Sequence, residues 1–291
     1  MLIMLEEFYK KNYVKLLLIP IIVFLLSVGF IAYYYNANGD VIKKDVSLSG
    51  GTSVTIPLSE PVDIVKLESD VAAELEEVSI RLLADPTTRT QEGLVIDTRE
   101  SDSEKVLEVL DKYLEFDRDQ VSIESTGPSL GKSFYKDLIL TLSLAFLFMA
   151  LAVFISFRNF IPSIAVISAA LMDIVITVAI LDLLGISIAA GGIVALLLVI
   201  GYSIDTDVLL TTKMLKQSEG SPFERIKASA KTGLTMTVTT IVALVVAFVV
   251  SFNPLLKQMF MIITIALVID IFTTYFTNAG ILYWYVERKK K

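Results

Sequence analysis

The chain has 291 residues, 54% of them hydrophobic, and a formal net charge of -7, with neither cysteine nor histidine. A mean hydropathy of +0.69 implies more apolar surface than one soluble core can bury, so the excess must face lipid. Without cysteine there is no disulfide framework or cysteine metal site, and without histidine any proton chemistry falls to carboxylates, lysine, tyrosine or water.

Residues 1–15 carry Lys10, Lys11 and Lys15 and precede a first apolar run, 16–35. That run is too long for a signal-peptide core and no small-x-small cleavage site follows it near Tyr33, Tyr34 and Tyr35, so it reads as a retained anchor. Residues 36–135 change character. A strand at 53–57 leads into a helix opened by Ser59 and Pro61 and carried by Val62, Val65, Leu67, Val71 and Leu75. Strands at 78–83 and 93–98 flank a loop with Asp85 and Pro86. Asp102 or Ser103 caps a second helix with Val106, Leu107, Val109, Leu110 and Leu114 at helical spacing, and 120–124 supplies a last strand. The β-α-β-β-α-β order suits a ferredoxin-like sandwich, a fold that carries no activity by itself.

Five more apolar runs follow, at 136–158, 160–182, 185–212, 232–252 and 258–286, each near the roughly 20 residues that cross about 30 Å of hydrocarbon. Helices alone satisfy the backbone in such segments. The predicted fold is therefore an integral membrane α-helical bundle of six transmembrane helices with one α+β ferredoxin-like extracytoplasmic domain. Orientation follows the basic residues: those of 1–15, Arg158, the loop 213–231 (Lys213, Lys216, Arg225, Lys227, Lys231) and the tail 287–291 share one side, against Lys257 on the other. Both termini are then expected in the cytoplasm of a multi-pass cell-membrane protein, with 36–135 outside. Between residues 40 and 132 there are 21 acidic and 10 basic residues, which argues against nucleic acid and anionic lipid as that domain's ligands.

Ionisable residues inside a bilayer cost several kcal/mol and are functional candidates by default. Asp205 lies four residues after Gly201 on one face of the fourth span, where glycine admits a close neighbour helix. Lys231, followed at helical spacing by Thr235 and Thr239, is its natural cation, with Asp207 a further candidate. Asp270 heads a polar stripe of Thr273, Thr274, Thr277 and Asn278, and Asp173 stands alone among apolar neighbours. A relay of Asp173, Asp205 and Asp270 requires their helices to be adjacent. Gly191 and Gly192 read as close packing, and Asn253-Pro254 as loop punctuation. There is no nucleophile elbow, phosphate loop or metal-ligand cluster, so neither enzyme activity, a cofactor nor a metal is expected.

Three local patterns carry a family resemblance. Ser49-Gly50-Gly51-Thr52 resembles a Thr-Gly-Gly-Thr signature, Gly127-Pro128-Ser129 with Gly131 resembles Gly-Pro-Ser-x-Gly, and Gly201-Tyr202-Ser203-Ile204-Asp205-Thr206-Asp207 resembles Gly-Tyr-Ser-Ile-Asn-Asp-Thr. In this order and topology they resemble the SecD/SecF protein-export family, in the half that pairs with SecD. The resemblance implies a separate SecD partner, a place beside the SecY-type translocon channel, contact with the exported polypeptide and, as in bacterial members, a cycle driven by the proton motive force. The motif's Asn-Asp pair reads Asp205-Thr206 here, and an Arg-Thr element before the fifth span reads Lys231-Thr232; both departures look like the archaeal branch. The competing reading is a half-unit of a resistance-nodulation-division-like, ion-coupled small-molecule transporter, whose usual chain has two outer domains and twelve helices.

Overall fold

A computed structural model describes residues 2–58, 61–84, 91–216, 220–251 and 253–290. It divides into two compact units: a helical one (1–43, 141–187, 191–291) and an α/β one (44–140 with 188–190).

The helical unit draws on α1 (Leu2–Asn38), α5 (Pro128–Phe157), α6 (Phe160–Leu183), α7 (Ala190–Lys216), α8 (Pro222–Val250), α9 (Pro254–Phe272), a π-helical segment (Thr273–Asn278) and α10 (Ala279–Lys290). The last three form one continuous rod, so six helices are long and apolar enough to cross a membrane. Most run past the predicted apolar spans, because intrahelical hydrogen bonding continues beyond the residues lipid requires to be apolar. Their ends are locally encoded. Ser221 and Glu224 form a capping box ahead of α8, with Pro222 in its first turn. Asn253, predicted as loop punctuation, caps α9 by accepting from the amides of Leu255 and Leu256.

Burial separates centre from rim. Within their most apolar stretches α6 is 61% buried and α7 50%, whereas α1, α5 and α8 are each 11% buried and turn Leu26, Phe148, Ile155, Val242 and Val250 outward. An outward apolar surface of this kind suits hydrocarbon, whereas a soluble bundle would carry charge there. At Gly191 the expected close approach is present: an added Cβ would lie 3.2 Å from Met259.

The α/β unit has the predicted order. It contains α2 (Val46–Ser49), β1 (Gly51–Pro57), α3 (Ile64–Val71), β2 (Ser79–Ala84), β3 (Gln91–Thr98), α4 (Ser103–Leu110) and β4 (Ser122–Thr126). The sheet runs β2-β3-β1-β4, every neighbouring pair antiparallel, with Val54 opposite Ile96 on one side and Ile123 on the other. Alternation along β1 and β3 sends Val54, Ile56, Leu94 and Ile96 into a core shared with Leu67 and Val71 of α3 and Val106 and Leu110 of α4. Asp102 caps α4 as predicted, whereas α3 starts later than predicted, at Asp63, whose carboxylate accepts from the amides of Val65 and Lys66. Ser59, Asp85 and Pro86 lie outside the described residues.

Candidate functional site: a buried carboxylate network

α7 positions the site. Ser203, Thr206 and Asp207 stand at i, i+3 and i+4, which puts them on one helix face, and all three are buried. Opposite them lie Asp173 of α6, Asp270 of α9, and Thr273, Thr274 and Asn278 of the π-helical segment, all buried. A π-turn widens the helix and is found preferentially at functional sites; here the segment begins three residues after Asp270.

The bonds are specific. Asp173 accepts from the Ser203 hydroxyl at 2.5 Å and, through its other oxygen, from the Thr273 hydroxyl. Asp270 accepts from Thr206 at 2.9 Å and from Thr274 at 3.1 Å. Asp207 accepts from the same Thr274 hydroxyl at 2.9 Å and from the Asn278 amide at 2.7 Å, both at Oδ1. Among the described residues none of the three carboxylates is in an ion pair.

That arrangement has a chemical consequence. A threonine hydroxyl owns one proton, so Thr274 donates to Asp207 or to Asp270 but not to both at once. Thr206 is in the same position, because its hydroxyl also lies 2.9 Å from the Ser203 carbonyl oxygen, which can only accept. Each hydroxyl can therefore fully satisfy only one of its two neighbouring oxygens at a time. Thr274 sits where donation can switch between two carboxyl groups.

The structure regroups the sequence candidates. Asp173, Asp270 and Asp207 share one hydrogen-bonded network, and Asp205 is not in it. Residues two apart on a helix point about 200° apart, so with Asp207 inward Asp205 is exposed on the other face, beside Gly201, whose added Cβ would meet nothing within 4 Å. The Asp173–Asp205–Asp270 relay is thus not formed. Nor is the Asp205–Lys231 pair: Lys231 is exposed, and Thr235 and Thr239 donate to carbonyls of their own helix, those of Lys231 and Thr235. The i, i+3, i+4 spacing of Ser203, Thr206 and Asp207 was the signal available for this face. Gly233 and Tyr275 were missed; an added Cβ on Gly233 would lie 2.1 Å from the Tyr275 hydroxyl, which is buried and unpartnered.

The two glycine motifs meet in the α/β unit. Gly50 (φ +86) and Gly51 (φ +129) hold conformations that side chains rarely adopt. An added Cβ would lie 2.4 Å from the Pro128 Cα at Gly50, 2.1 Å from the Thr98 carbonyl oxygen at Gly51, and 2.8 Å from the Gly50 nitrogen at Gly131. Ser49 donates to the Asp45 carbonyl, Thr52 is buried at the head of β1, Gly127 has open space and Ser129 is exposed. The motifs thus pack backbone against backbone where β1 begins and α5 starts. Nearby on the sheet, Arg81 of β2 bridges Asp45 at 3.0 Å and Asp97 at 2.5 Å. Burial pushes the Asp97 carboxyl above its ordinary range, against the opposing pull of Arg81; burial, with Asp45 and Asp97 adding to it, does the same to Glu124.

Comparison with known proteins gives this geometry a lineage. Residues 105–288 match the family model described as protein export membrane protein SecD/SecF, C-terminal. The chain is 35% identical over 290 residues to the protein-export membrane protein SecF of Methanolacinia petrolearia, covering 95% of each. It is likewise 35% identical over 291 residues to that of Methanocaldococcus jannaschii, covering 97% of this chain and 99% of the relative. The chain belongs to the SecD/SecF protein-export family. The crystal structure of SecDF from Thermus thermophilus shares its fold, with a TM-score of 0.76 at 17% identity over 97% of this chain. A second SecDF structure, in super-membrane-facing form, matches with a TM-score of 0.57 at 18% identity. This chain spans 38% of the length of the first SecDF chain, so it corresponds to one portion of that longer protein.

Within the SecD/SecF family frame, the Gly201–Asp207 motif divides by helix face. Ser203, Thr206 and Asp207 serve the buried network, while Gly201, Tyr202 and Asp205 form an exposed strip.

Proposed function

We propose that this chain is the SecF subunit of a two-chain SecD/SecF complex that assists protein export beside the SecY-type channel, with no enzymatic step of its own. The observation that carries the reading is correspondence along nearly the whole chain to relatives that bear the SecF name, 35% identical over 97% of this chain in one case. In this reading both termini are cytoplasmic and the α/β unit is extracytoplasmic, a ferredoxin-like domain by its β-α-β-β-α-β order and β2-β3-β1-β4 sheet, available to the exported polypeptide. The Asp173–Asp270–Asp207 network is the ion-coupling device through which the proton motive force, or another ion gradient, drives the cycle. Asp205 and Gly201 belong to the α7 face that a SecD helix covers, since an exposed carboxylate within a membrane span calls for a polar partner. Lys231 serves as a cytoplasmic anchor at the head of the fifth span.

Affinity purification of the tagged protein from mild detergent tests this. Recovery of a SecD-type chain or translocon subunits supports it; reproducible recovery of the chain alone or as a homo-oligomer moves the reading to a half-unit of an ion-coupled transporter.

A further inference from the structure

The sheet of the α/β unit has two edges, β2 and β4, and they are finished differently. β2 has a register shift between Leu83 and Ala84, and its Arg81 is tied down onto Asp45 and Asp97. A bulge and an inward-turned charge are devices that keep a foreign strand from pairing with an edge. β4 has neither. Its five residues pair with β1 in unbroken register, from Gly51 opposite Thr126 to Thr55 opposite Ser122, and include no proline or lysine. Among the described residues its other side forms no backbone hydrogen bond. Ser122, Ile123, Glu124 and Ser125 are all exposed. Ile123 stands opposite Val54, which lies in the core, so it faces the helices; yet it is 40% exposed, because the core ends at this last strand. β2 exposes Leu82 in the same manner, but there the bulge follows at the next residue.

An open edge of this kind is recognised by one chemistry, an extended backbone whose amides and carbonyls continue the ladder. The surrounding charge selects further. Ser53 stands opposite both Asp97 and Glu124, which puts these three side chains on the face away from the helices. Arg81 serves Asp45 and Asp97, so among the described residues Glu124 has no cationic partner. The approach to β4 adds Glu115, Asp117 and Asp119, against Arg118, which Asp111 engages. A second copy of this chain would bring the same acids to the edge and be repelled. A basic strand would instead set lysine or arginine opposite Glu124, the favourable cross-strand arrangement, and its apolar residues would cover Ile123. We infer that the outer edge of β4 takes up a basic, extended stretch of the exported polypeptide as a fifth strand of the sheet. The inference rests on reading the α/β unit as the part that meets the exported chain, and it names the surface and the kind of segment. Because backbone groups make most of the bonds, such an edge accepts many sequences.

The test uses the purified full chain in a neutral detergent and a short fluorescent peptide of alternating lysine and valine, with binding followed by anisotropy. The peptide should bind saturably and slow amide hydrogen exchange in residues 121–127. The same peptide N-methylated throughout keeps its side chains and charge but loses its amide donors, and should not bind. Glu124→Lys should weaken binding about tenfold, since like charge replaces opposite charge across the strands, and Glu108→Gln, exposed on α4, should leave it unchanged. A peptide with glutamate in place of lysine makes the same comparison on the wild-type chain if Glu124→Lys does not fold. Equal binding of the N-methylated or the glutamate peptide overturns the proposal, as does exchange protection confined to other segments. Loss of peptide binding in a complex purified with a SecD-type chain also overturns it, by giving the edge to that partner. Recovery of a SecD-type chain without any peptide binding removes this proposal alone and leaves the subunit role standing, so the two failures are told apart.

Discussion

Replacing Gly50 by alanine strikes the contact between the two glycine motifs with minimal chemistry. Gly50 has φ +86 and ψ 155, a region that is essentially glycine-only, and occupying it with a side chain costs about 1–3 kcal/mol. The added methyl would sit 2.4 Å from the Pro128 Cα and 2.8 Å from the Pro128 nitrogen. Both neighbours are backbone atoms, which cannot rotate away, and such overpacking costs a further ~1–3 kcal/mol. The midpoint, about 4 kcal/mol, corresponds to a fall of roughly 10 °C in melting temperature for a chain of this size. Thermal unfolding of the purified protein by far-ultraviolet circular dichroism measures it, with Gly127→Ala as the comparator, because nothing lies within 4 Å of that Cβ. If Gly50→Ala melts with the wild type and Gly127→Ala, the two motifs do not form the tight junction described.

At Gly233 the obstacle to a methyl group is the Tyr275 hydroxyl, so Gly233→Ala alone should destabilise by about 1–3 kcal/mol and Tyr275→Phe should restore most of the loss, a coupling read from a double-mutant cycle in thermal melts. Because the Tyr275 hydroxyl has no partner, Tyr275→Phe by itself should be neutral or mildly stabilising in the same melts. Glu124 binds its proton more tightly folded than unfolded, so its contribution is favourable at acid pH and is lost as pH rises through its folded value. Glu124→Gln should therefore melt higher than wild type near neutral pH and converge with it below the ordinary carboxylate range, as a pH series of melting temperatures will report. Truncating Leu110, fully buried in the α/β core, to alanine should cost about 2–5 kcal/mol in the same thermal assay.

The α/β order was legible because strand alternation and helical spacing are local signals, and Asp102 announced its cap. The start of α3 was misread because Ser59, Pro61 and Asp63 all carry helix-opening chemistry, and only backbone geometry selects among them. The six spans were legible from hydropathy, though α5 begins at Pro128, earlier than its apolar run, since hydropathy measures what lipid requires and helices end where capping allows. At the site, Asp270, Thr273, Thr274, Thr277 and Asn278 are legible as a polar helix face, and all five are buried. Asp205 was preferred over Asp207 because Gly201 shares its face, and glycine marks a close approach. At Gly201 nothing lies within 4 Å of an added Cβ, so the close approach that glycine suggested is absent among the described residues, and the buried network depends on which face the rest of the chain covers. Asp173 acquires its role only from contacts separated by 30 and 100 residues in the chain, which no local pattern records.

In the proposed mechanism a buried carboxylate network couples an ion to export. Its most direct test is the export rate of a secreted reporter in cells whose only copy of this chain carries Asp270→Asn, a substitution that keeps shape and can still hydrogen-bond Thr206 and Thr274 but cannot exchange charge. With protein level and partner recovery equal to wild type, export should fall severalfold. Export at the wild-type rate would contradict it.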